Sequence, residues 1–298
     1  MSQPTRLRLL RHGESTANAA NRFEGGAPDK PGRPTRLTRH GAKQGFASGA
    51  AARNAGIVVA RVTTSRMHRA IHTGHMSVRG YGEGASLHHL RLDDAHEIDH
   101  GSLQDAGVTK QCAAEIRQEV VARYTNELLD AGLHPGLIEI ASWVIGTGNR
   151  NGESYLDAAR RAHRTIAAHD HQENEVLVGH NGTWRQLRAL GMFVTGADRE
   201  QLFGAMDEAD RAGNRLQADI GLIALLEELG LPPLDYINDE SKRIGNAELV
   251  TVSIDSVTGI WTPESRLIPI LPSGDRTPLT RETVGFNLLP FNGPDEWI

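Results

Sequence analysis

Histidine is the side chain with the clearest catalytic potential in this sequence, since the 298 residues include 14 of them. The triplet Arg-His-Gly occurs twice, in LLRHGES around His12 and in LTRHGAK around His40. A neutral imidazole can act as nucleophile or base near neutral pH, and a neighbouring guanidinium binds phosphate or carboxylate oxygens. The repeat raises the question of which of the two histidines could do such chemistry.

The predicted elements around the two triplets separate them. Leu7–Leu10 predicts a short buried strand that runs directly into Arg11 and His12. Thr38 is a typical helix N-cap, so His40 would lie in the first turn of a helix with no strand before it. In open α/β sheets, ligands bind beyond the carboxyl ends of the strands. We therefore predict that His12 does the chemistry and that His40 is a surface residue.

Two further cationic side chains follow other predicted strand ends. The segment EVLVGHNG places His180 directly after an apolar strand, and TTSRMHRAIHTG places Arg69 one helical turn after another. We expect Arg11, Arg69 and His180 to converge around His12. Together with helix N-terminal amides, these side chains would bind a dianion such as a phosphoryl group.

The elements that must position these residues alternate between strand and helix. Strands are predicted at Leu7–Leu10, Val58–Thr64, Glu175–Gly179 and Glu248–Ile254. The alternation indicates a single α/β domain, a three-layer α/β/α sandwich with a mostly parallel, doubly wound sheet. We assign residues 1–262 to this domain and the Pro-rich residues 263–298 to a C-terminal extension, either a wrapping arm or an oligomer contact.

Three helices are predicted from caps and apolar spacing. One starts at Thr38 with Ala42, Phe46 and Ala50 facing inward, and ends near Gly56. A second starts at a capping box formed by Ser154 and Asp157 and ends near Ala168. The third, Arg215–Leu229, buries a stripe that consists of Leu216, Ile220, Ile223 and Leu226.

Composition excludes several classes of protein. The formal net charge is −5 and there is no dense Lys/Arg run, so we expect no nucleic-acid partner. No run approaches the roughly 18 apolar residues of a membrane helix. The polar stretch Met1–Arg8 does not look like a signal peptide, and the single Cys112 excludes an internal disulfide. We expect a cytoplasmic protein, with a homodimer as an alternative to the monomer.

The motifs together resemble the histidine phosphatase superfamily, in particular its cofactor-dependent phosphoglycerate mutase branch. They occur in the family's order and cover most of residues 6–255. A lone Arg-His-Gly triplet would be weak evidence for the family, because this sequence contains it twice. The motifs are RHGESTAN (11–18), NRFEG (21–25), LTRHGAKQG (37–45), TSRMHRAIHT (64–73), HEIDHGSLQD (96–105), GES (152–154), VLVGHNG (176–182) and GNAELVTVSID (245–255).

The resemblance implies a role for each matching residue. His12 matches the nucleophile that becomes phosphohistidine, and Arg11, Arg69 and His180 match the clamp on the phosphoryl oxygens. Glu97 matches the acid that protonates the leaving oxygen, with Asp93, Asp94 and Asp99 as nearby rivals. Asn18 matches a substrate-pocket position, with turn capping as its alternative; Ser15, Glu24 and Asn181 are further candidates for substrate contact. In the family, the histidine that matches His40 has no catalytic part.

Departures from the family's pattern bear on the substrate. The mutase branch has a lysine and paired arginines after the acid motif, where this chain has Lys110, Arg117 and Arg123 singly. Glu24 replaces a pocket threonine and would repel a second anionic group, and Asn181 follows His180 in place of the usual glycine. We therefore expect a phosphatase that acts on a small phosphomonoester. The alternatives are a phosphomutase and a non-catalytic phospho-ligand binding protein.

A metal site is the competing interpretation of the remaining histidines. His88, His89, His96 and His100, with Asp93 and Asp94, are close in sequence, but their spacing fits no strong metal signature. His68, His72 and His75 share one predicted helix and are interpreted as packing or pocket-edge residues. We expect neither a metal nor another cofactor.

Overall fold

A six-stranded sheet forms the centre of the protein. The computed structural model describes residues 5–22, 25, 35–92, 94–101, 108–145, 152–169, 171–233, 243–269 and 271. The strands within them are β1 (Thr5–Arg11), β2 (Arg61–Ser65), β3 (Ser86–Leu92), β4 (Glu175–Gly179), β5 (Leu249–Ile254) and β6 (Trp261–Leu267).

The strand order is β3-β2-β4-β1-β5-β6. β1 pairs with β4 in parallel and with β5 in antiparallel fashion, and β6 pairs antiparallel with β5. Among the described strands, β5 is therefore antiparallel to the other five. The predicted α/β class is confirmed, and the sheet is mixed, with most of its strands parallel. Val58 was wrongly included in the second strand; β2 begins at Arg61, and the Val58 side chain is 57% exposed.

Nine α-helices are described, and they surround the sheet. They are α1 (Thr16–Ala19), α2 (Arg39–Asn54), α3 (His68–Tyr81), α4 (Lys110–Asp130), α5 (Ile138–Ile145), α6 (Tyr155–Ala168), α7 (Asn181–Phe193), α8 (Gly196–Arg211) and α9 (Arg215–Glu228). A 3₁₀ turn, Pro135–Leu137, precedes α5. No helix of the described part is long and apolar enough to cross a membrane.

Side-chain alternation along β1 explains why both faces of the sheet are covered. Leu7 and Leu9 share one apolar cluster with Trp184 of α7 and with residues of α6. Leu10 points the other way and clusters with Ala70 of α3 and residues of α2. Because neighbouring strand residues point to opposite faces, one apolar strand is buried between two helical layers.

The predicted caps are confirmed. Thr38 accepts the Gly41 N–H at the start of α2, and Ser154 forms a capping box with Asp157 at the start of α6. Phe46 was wrong as an inward residue, since its side chain is 42% exposed. Ile223 and Leu226 of α9 are fully buried as predicted, within a further cluster that joins α4, α5, α8 and α9 to the outer side of α6.

The boundary of the predicted C-terminal extension needs a correction. Pro263–Leu267 belongs to β6, where Pro263 pairs with Val252 of β5. Proline is tolerated there because β6 is an edge strand of the described sheet, where no other described strand needs its missing N–H. An arm formed by the later residues stays a prediction, since residues 272–298 lie outside the described part.

Candidate active site

His12 lies at the carboxyl end of β1 and is buried, with 3% of its surface exposed. Its Nδ1 is 2.7 Å from the Gly13 carbonyl oxygen, which can only accept, so Nδ1 carries the proton. Nε2 therefore bears a lone pair, and Arg69 Nε donates to it at 3.3 Å. Burial, then the charges of Arg69 and Arg11, hold the His12 pKa well below its ordinary value. The imidazole is thus neutral at neutral pH, the form that can attack.

Arg69, His180 and Arg11 surround this imidazole, as the strand-end argument predicted. Arg69 is the second residue of α3 and 1% exposed, and His180 is the N-cap residue of α7 and fully buried. The ring centroids of His12 and His180 are 5.2 Å apart. Arg11 Nη1 donates to the Ile244 carbonyl oxygen at 2.8 Å, which fixes its guanidinium beside the end of β1.

Three buried nitrogen atoms of these side chains have no hydrogen-bond partner among the described residues: Arg11 Nε, Arg69 Nη1 and His180 Nδ1. Buried polar atoms in folded proteins are nearly always paired. Burial lowers the pKa of Arg11 to about 10, so this side chain stays cationic at neutral pH, whereas burial and the charge of Arg69 lower the His180 pKa. An oxyanion beside His12 would satisfy such donors.

Glu97 lies at the amino end of α7. Its Oε1 accepts the backbone N–H groups of Ile98 at 3.0 Å and Thr183 at 3.1 Å, and its Oε2 accepts that of Gly182 at 3.2 Å. The same helix end carries His180, so the carboxylate is held on the side of the pocket that α7 forms. The structure therefore places Glu97 close to the other predicted residues through backbone contacts that the sequence does not reveal.

The rival acids are placed less favourably. Asp99 is used in a turn, where its Oδ1 accepts the Gly101 N–H at 2.7 Å, and Asp94 is exposed. Asp93 lies outside the described residues. Burial lowers the pKa of the nearby His100 to about 4. No three His, Cys, Asp or Glu side chains of the described part could hold a metal ion; the His88 and His89 side chains lie outside that part.

The predicted substrate-contact residues mostly have local partners. Ser15 and Asn18 form a capping box for α1, each accepting the other's backbone N–H at 3.2 Å. Asn181 Oδ1 accepts the Ile244 N–H at 3.2 Å. The turn-capping alternative for Asn18 thus has a structural basis, and Glu24 lies outside the described residues.

The segment around the second Arg-His-Gly triplet packs against the backbone that follows the first triplet. Thr38 donates its backbone N–H to Glu14 O at 2.9 Å and its hydroxyl to Glu14 Oε1 at 2.9 Å. A Cβ on Gly41 would lie 2.1 Å from Glu14 O, and one on Gly13 would lie 2.3 Å from Gly41 O. The start of α2 thus packs against the backbone that follows His12, and only glycine allows this approach.

His40 belongs to the same contact, and the prediction that it is a surface residue was wrong. Its side chain is buried, with 8% exposed. His40 Nε2 is 3.1 Å from Gln44 Nε2, and Gln44 Oε1 accepts the Glu14 N–H at 2.8 Å. His40 therefore orients an amide that holds the loop after His12.

Sequence reasoning missed several other supporting residues. Ser65 Oγ lies 2.7 Å from His180 Nε2, and Thr73 Oγ1 accepts the Gly13 N–H at 3.0 Å. Both residues fall in the motif TSRMHRAIHT, so their polar types near a strand end were an available signal. The carbonyls of Ile244 and Gly25, which face Arg11 and Arg69, carry no side-chain signal at all.

These features define an α/β protein with a nucleophile-competent histidine inside a cluster of anion-binding donors. The family model of the histidine phosphatase superfamily, branch 1, matches residues 7–205, more than half of the chain. The chain belongs to the histidine phosphatase superfamily. No curated protein matches it.

Several solved structures, many of them mycobacterial, are similar to this chain over most of its length. Mycobacterial hydrolase 1 is 20% identical with a TM-score of 0.52, over 88% of this chain and 98% of that one. Mycobacterial hydrolase 2 is 19% identical with a TM-score of 0.52, over 95% of this chain and 96% of that one. Mycobacterial glucosyl-3-phosphoglycerate phosphatase, solved with VO3, is 18% identical with a TM-score of 0.49, over 88% and 98%.

Proposed function

We propose that this protein is a metal-independent phosphatase that hydrolyses a small phosphomonoester through a phosphohistidine on His12. The observation that carries the proposal is the tautomer of His12: the Gly13 carbonyl holds the Nδ1 proton, which leaves the Nε2 lone pair among cationic donors. Phosphoryl transfer gains mainly from positioning and charge stabilisation, which guanidinium groups supply.

In the first step, His12 Nε2 attacks the phosphorus atom and the ester P–O bond breaks. Arg11, Arg69 and His180 bind the phosphoryl oxygens, on which negative charge is spread during transfer. The electron pair of the broken bond goes to the leaving oxygen, which takes the proton of Glu97 from the protonated form of that carboxyl group. The alcohol then leaves and His12 carries the phosphoryl group.

In the second step, water attacks the phosphohistidine. Glu97, now ionised, accepts a proton from this water while the water oxygen bonds to phosphorus. The P–N bond breaks and its electron pair returns to Nε2. Inorganic phosphate leaves and both residues regain their starting protonation.

Trapping of acid-labile phosphate on the protein tests this proposal. We expect labelled phosphate on the wild-type chain after a panel of phosphorylated metabolites and p-nitrophenyl phosphate, and none on His12→Ala. His40→Ala is the matched histidine control and should retain most turnover, because His40 acts only through Gln44. Label on His12→Ala, or equal loss in both variants, would overturn the assignment of the nucleophile.

The same panel separates the proposed hydrolysis from its alternatives. A phosphatase releases inorganic phosphate, so 3-phosphoglycerate should not be isomerised after priming with the bisphosphate. Efficient isomerisation would identify a mutase. Binding of phosphate esters with neither label nor release would identify a binding protein, which has no need of Glu97 as an acid.

A further inference from the structure

We propose that Arg185 and Arg243 form a second anion subsite on the leaving-group side of the His12 pocket. The substrate would then carry a second anionic group, a carboxylate or another phosphoryl group, on the alcohol that it releases. This inference rests on the proposed function and narrows it to a class of substrate.

The position of Arg185 on α7 directs it toward the leaving-group side. Arg185 follows Gly182 by three residues, so both lie on one face of the helix. That face meets the acid, because Gly182 donates to Glu97 Oε2 and a Cβ on Gly182 would lie 2.4 Å from Glu97 Oε1. Helical side chains lean toward the helix N-terminus, so Arg185 leans toward Glu97.

Arg185 is buried without a partner. Its side chain is 9% exposed, its Nε is fully buried, and it makes no hydrogen bond or ion pair with any residue in the described ranges. Arg199, also buried, shows the ordinary arrangement, since it donates to the carbonyls of Val194 and Gly259 at 2.6 and 2.8 Å. A buried guanidinium is otherwise almost always paired, and no described residue pairs with Arg185, so an anionic ligand would satisfy it.

Arg243 supplies the second cation from another element. It precedes Ile244, whose carbonyl accepts from Arg11 and whose N–H donates to Asn181. Arg243 therefore flanks the pocket, and its side chain is exposed. Its charge contributes to the lowered pKa values of both Arg11 and Arg185, after the larger effect of burial. Arg117 is nearby but lies over the Tyr155 ring, 5.3 Å from its centroid.

The balance of charge on this side favours an anion. Within the described ranges, Glu97 is an acidic group whose charge acts on both Arg11 and Arg185, and its oxygens are already used by three backbone N–H groups. This arrangement opposes the sequence expectation of a pocket that repels a second anion. That expectation rested on Glu24, which lies outside the described residues.

Calorimetric binding of non-hydrolysable phosphonates tests the subsite without turnover. The probes are propylphosphonate, 3-phosphonopropionate and propane-1,3-diphosphonate, which share one chain length and differ in the second group. We expect the wild type to bind one of the two doubly anionic probes about 10- to 100-fold more tightly than propylphosphonate, the range for a hydrogen bond to a charged group. The preferred probe distinguishes a carboxylate from a phosphoryl group.

Arg185→Met keeps the length of the side chain and removes its charge, so it should abolish most of this preference and leave propylphosphonate binding within about twofold. Arg185→Lys should keep part of it, since a lysine retains the charge but not the planar fork. Arg164→Met is the matched control, because Arg164 is exposed and pairs with Asp207; it should leave the preference unchanged.

Equal wild-type affinity for all three probes would overturn the second subsite and leave the proposed function standing. Equal weakening of every probe by Arg185→Met would assign Arg185 a structural role, and it would also overturn the inference. Failure of every probe to bind would overturn the phosphoryl pocket itself, and with it the proposed function.

Discussion

The immediate surroundings of His12 hold it in the neutral form that the proposed attack requires. One backbone carbonyl selects its tautomer, and burial beside two arginines keeps the ring neutral. The same arginines that would bind the phosphoryl group thus also keep the His12 ring neutral. Once a dianionic ester is bound, its charge offsets theirs, and the pocket no longer opposes the positive charge that develops on the imidazole during transfer.

A substitution of Glu97 tests its proposed role as the general acid. A general acid matters when the leaving group is a strong base, so Glu97→Gln should slow hydrolysis of alkyl phosphates by about 10²–10⁴-fold. Nitrophenolate leaves without a proton, and the burst of nitrophenolate from p-nitrophenyl phosphate should stay near the wild-type rate. Rapid-quench or stopped-flow burst kinetics measure this difference.

The contacts of Glu97 require a control for structure. Both carboxylate oxygens accept backbone N–H groups, and a glutamine would turn its own NH₂ toward one of them. The melting temperature should therefore accompany the kinetics, and Glu97→Asp should recover part of the alkyl turnover. A burst that falls as steeply as the alkyl turnover would make Glu97 a binding or structural residue and leave Asp93, Asp94 or Asp99 to be tested.

The side chains of the candidate site could be predicted from the sequence because parallel strands end at one edge of a sheet. His12 and His180 follow two adjacent strands, and Arg69 starts the helix after a third. Backbone groups could not be predicted in this way. The Gly13 and Ile244 carbonyls set a tautomer and orient an arginine, but a carbonyl is present at every residue and only the fold selects one.

At the scale of elements, the contact between the two Arg-His-Gly segments is open to a direct test. Gly41→Ala would force the start of α2 away from the loop after His12, since the added carbon would lie 2.1 Å from Glu14 O. We expect phosphohistidine formation to slow by at least about tenfold, because a displacement of about 1 Å can cost two orders of magnitude in rate. Burst kinetics with the aryl ester measure it.

Gly204→Ala is the control for Gly41→Ala. Gly204 lies in α8, and a Cβ added there would have no described atom within 4 Å outside its own helix turn. Alanine at this position should therefore leave the burst unchanged and slightly stabilise the helix. If both variants react at the wild-type rate, the α2 contact does not position His12.

The strands that sequence reasoning missed are the two edge strands of the described sheet, β3 and β6. The strands β2, β4 and β5 in the middle of this sheet are mostly buried and were predicted. An edge strand has one neighbour, so it can be short of apolar residues; β3 contains His88 and His89, and β6 contains Pro263. The prediction that Phe46 faces inward was also wrong. Helical spacing placed it on the buried face of α2, but its side chain lies at the edge of that face and is partly exposed.

At the scale of the whole molecule, buried neutral histidines predict loss of stability in acid. The pKa values of His12 and His180 lie well below 6.5, and that of His100 is about 4, each chiefly because of burial. As the pH falls below 6.5, these histidines bind protons in the unfolded chain but not in the folded chain, so the free energy of unfolding decreases. For His100, whose pKa is about 4, the loss at pH 5.5 is about 1 kcal/mol.

Urea unfolding at pH 7.5 and 5.5 checks this prediction. The midpoint should be lower at pH 5.5, and His100→Gln should reduce the difference because it removes one of the three groups. Identical midpoints at both pH values would contradict it.

A second acid-sensitive group lies at the other end of the sheet. Burial alone would raise the pKa of Glu175, but hydrogen bonds from His171, Arg61 and Thr63 outweigh it and hold the pKa well below its ordinary value of 4.5. Its contribution to stability is therefore present above about pH 4.5 and is lost below. The histidine-dependent loss should come first as the pH falls.

The strand order also has a consequence for how the protein is made. β1, which carries His12 at its end, lies between β4 and β5, and these begin at Glu175 and Leu249. During synthesis β1 leaves the ribosome before β4 and β5, so it cannot pair with either strand until they have been made. Pairings this distant in sequence form slowly. A nascent chain that has not yet reached β5 therefore carries His12, Arg69 and His180 but lacks one of the two strands that flank β1.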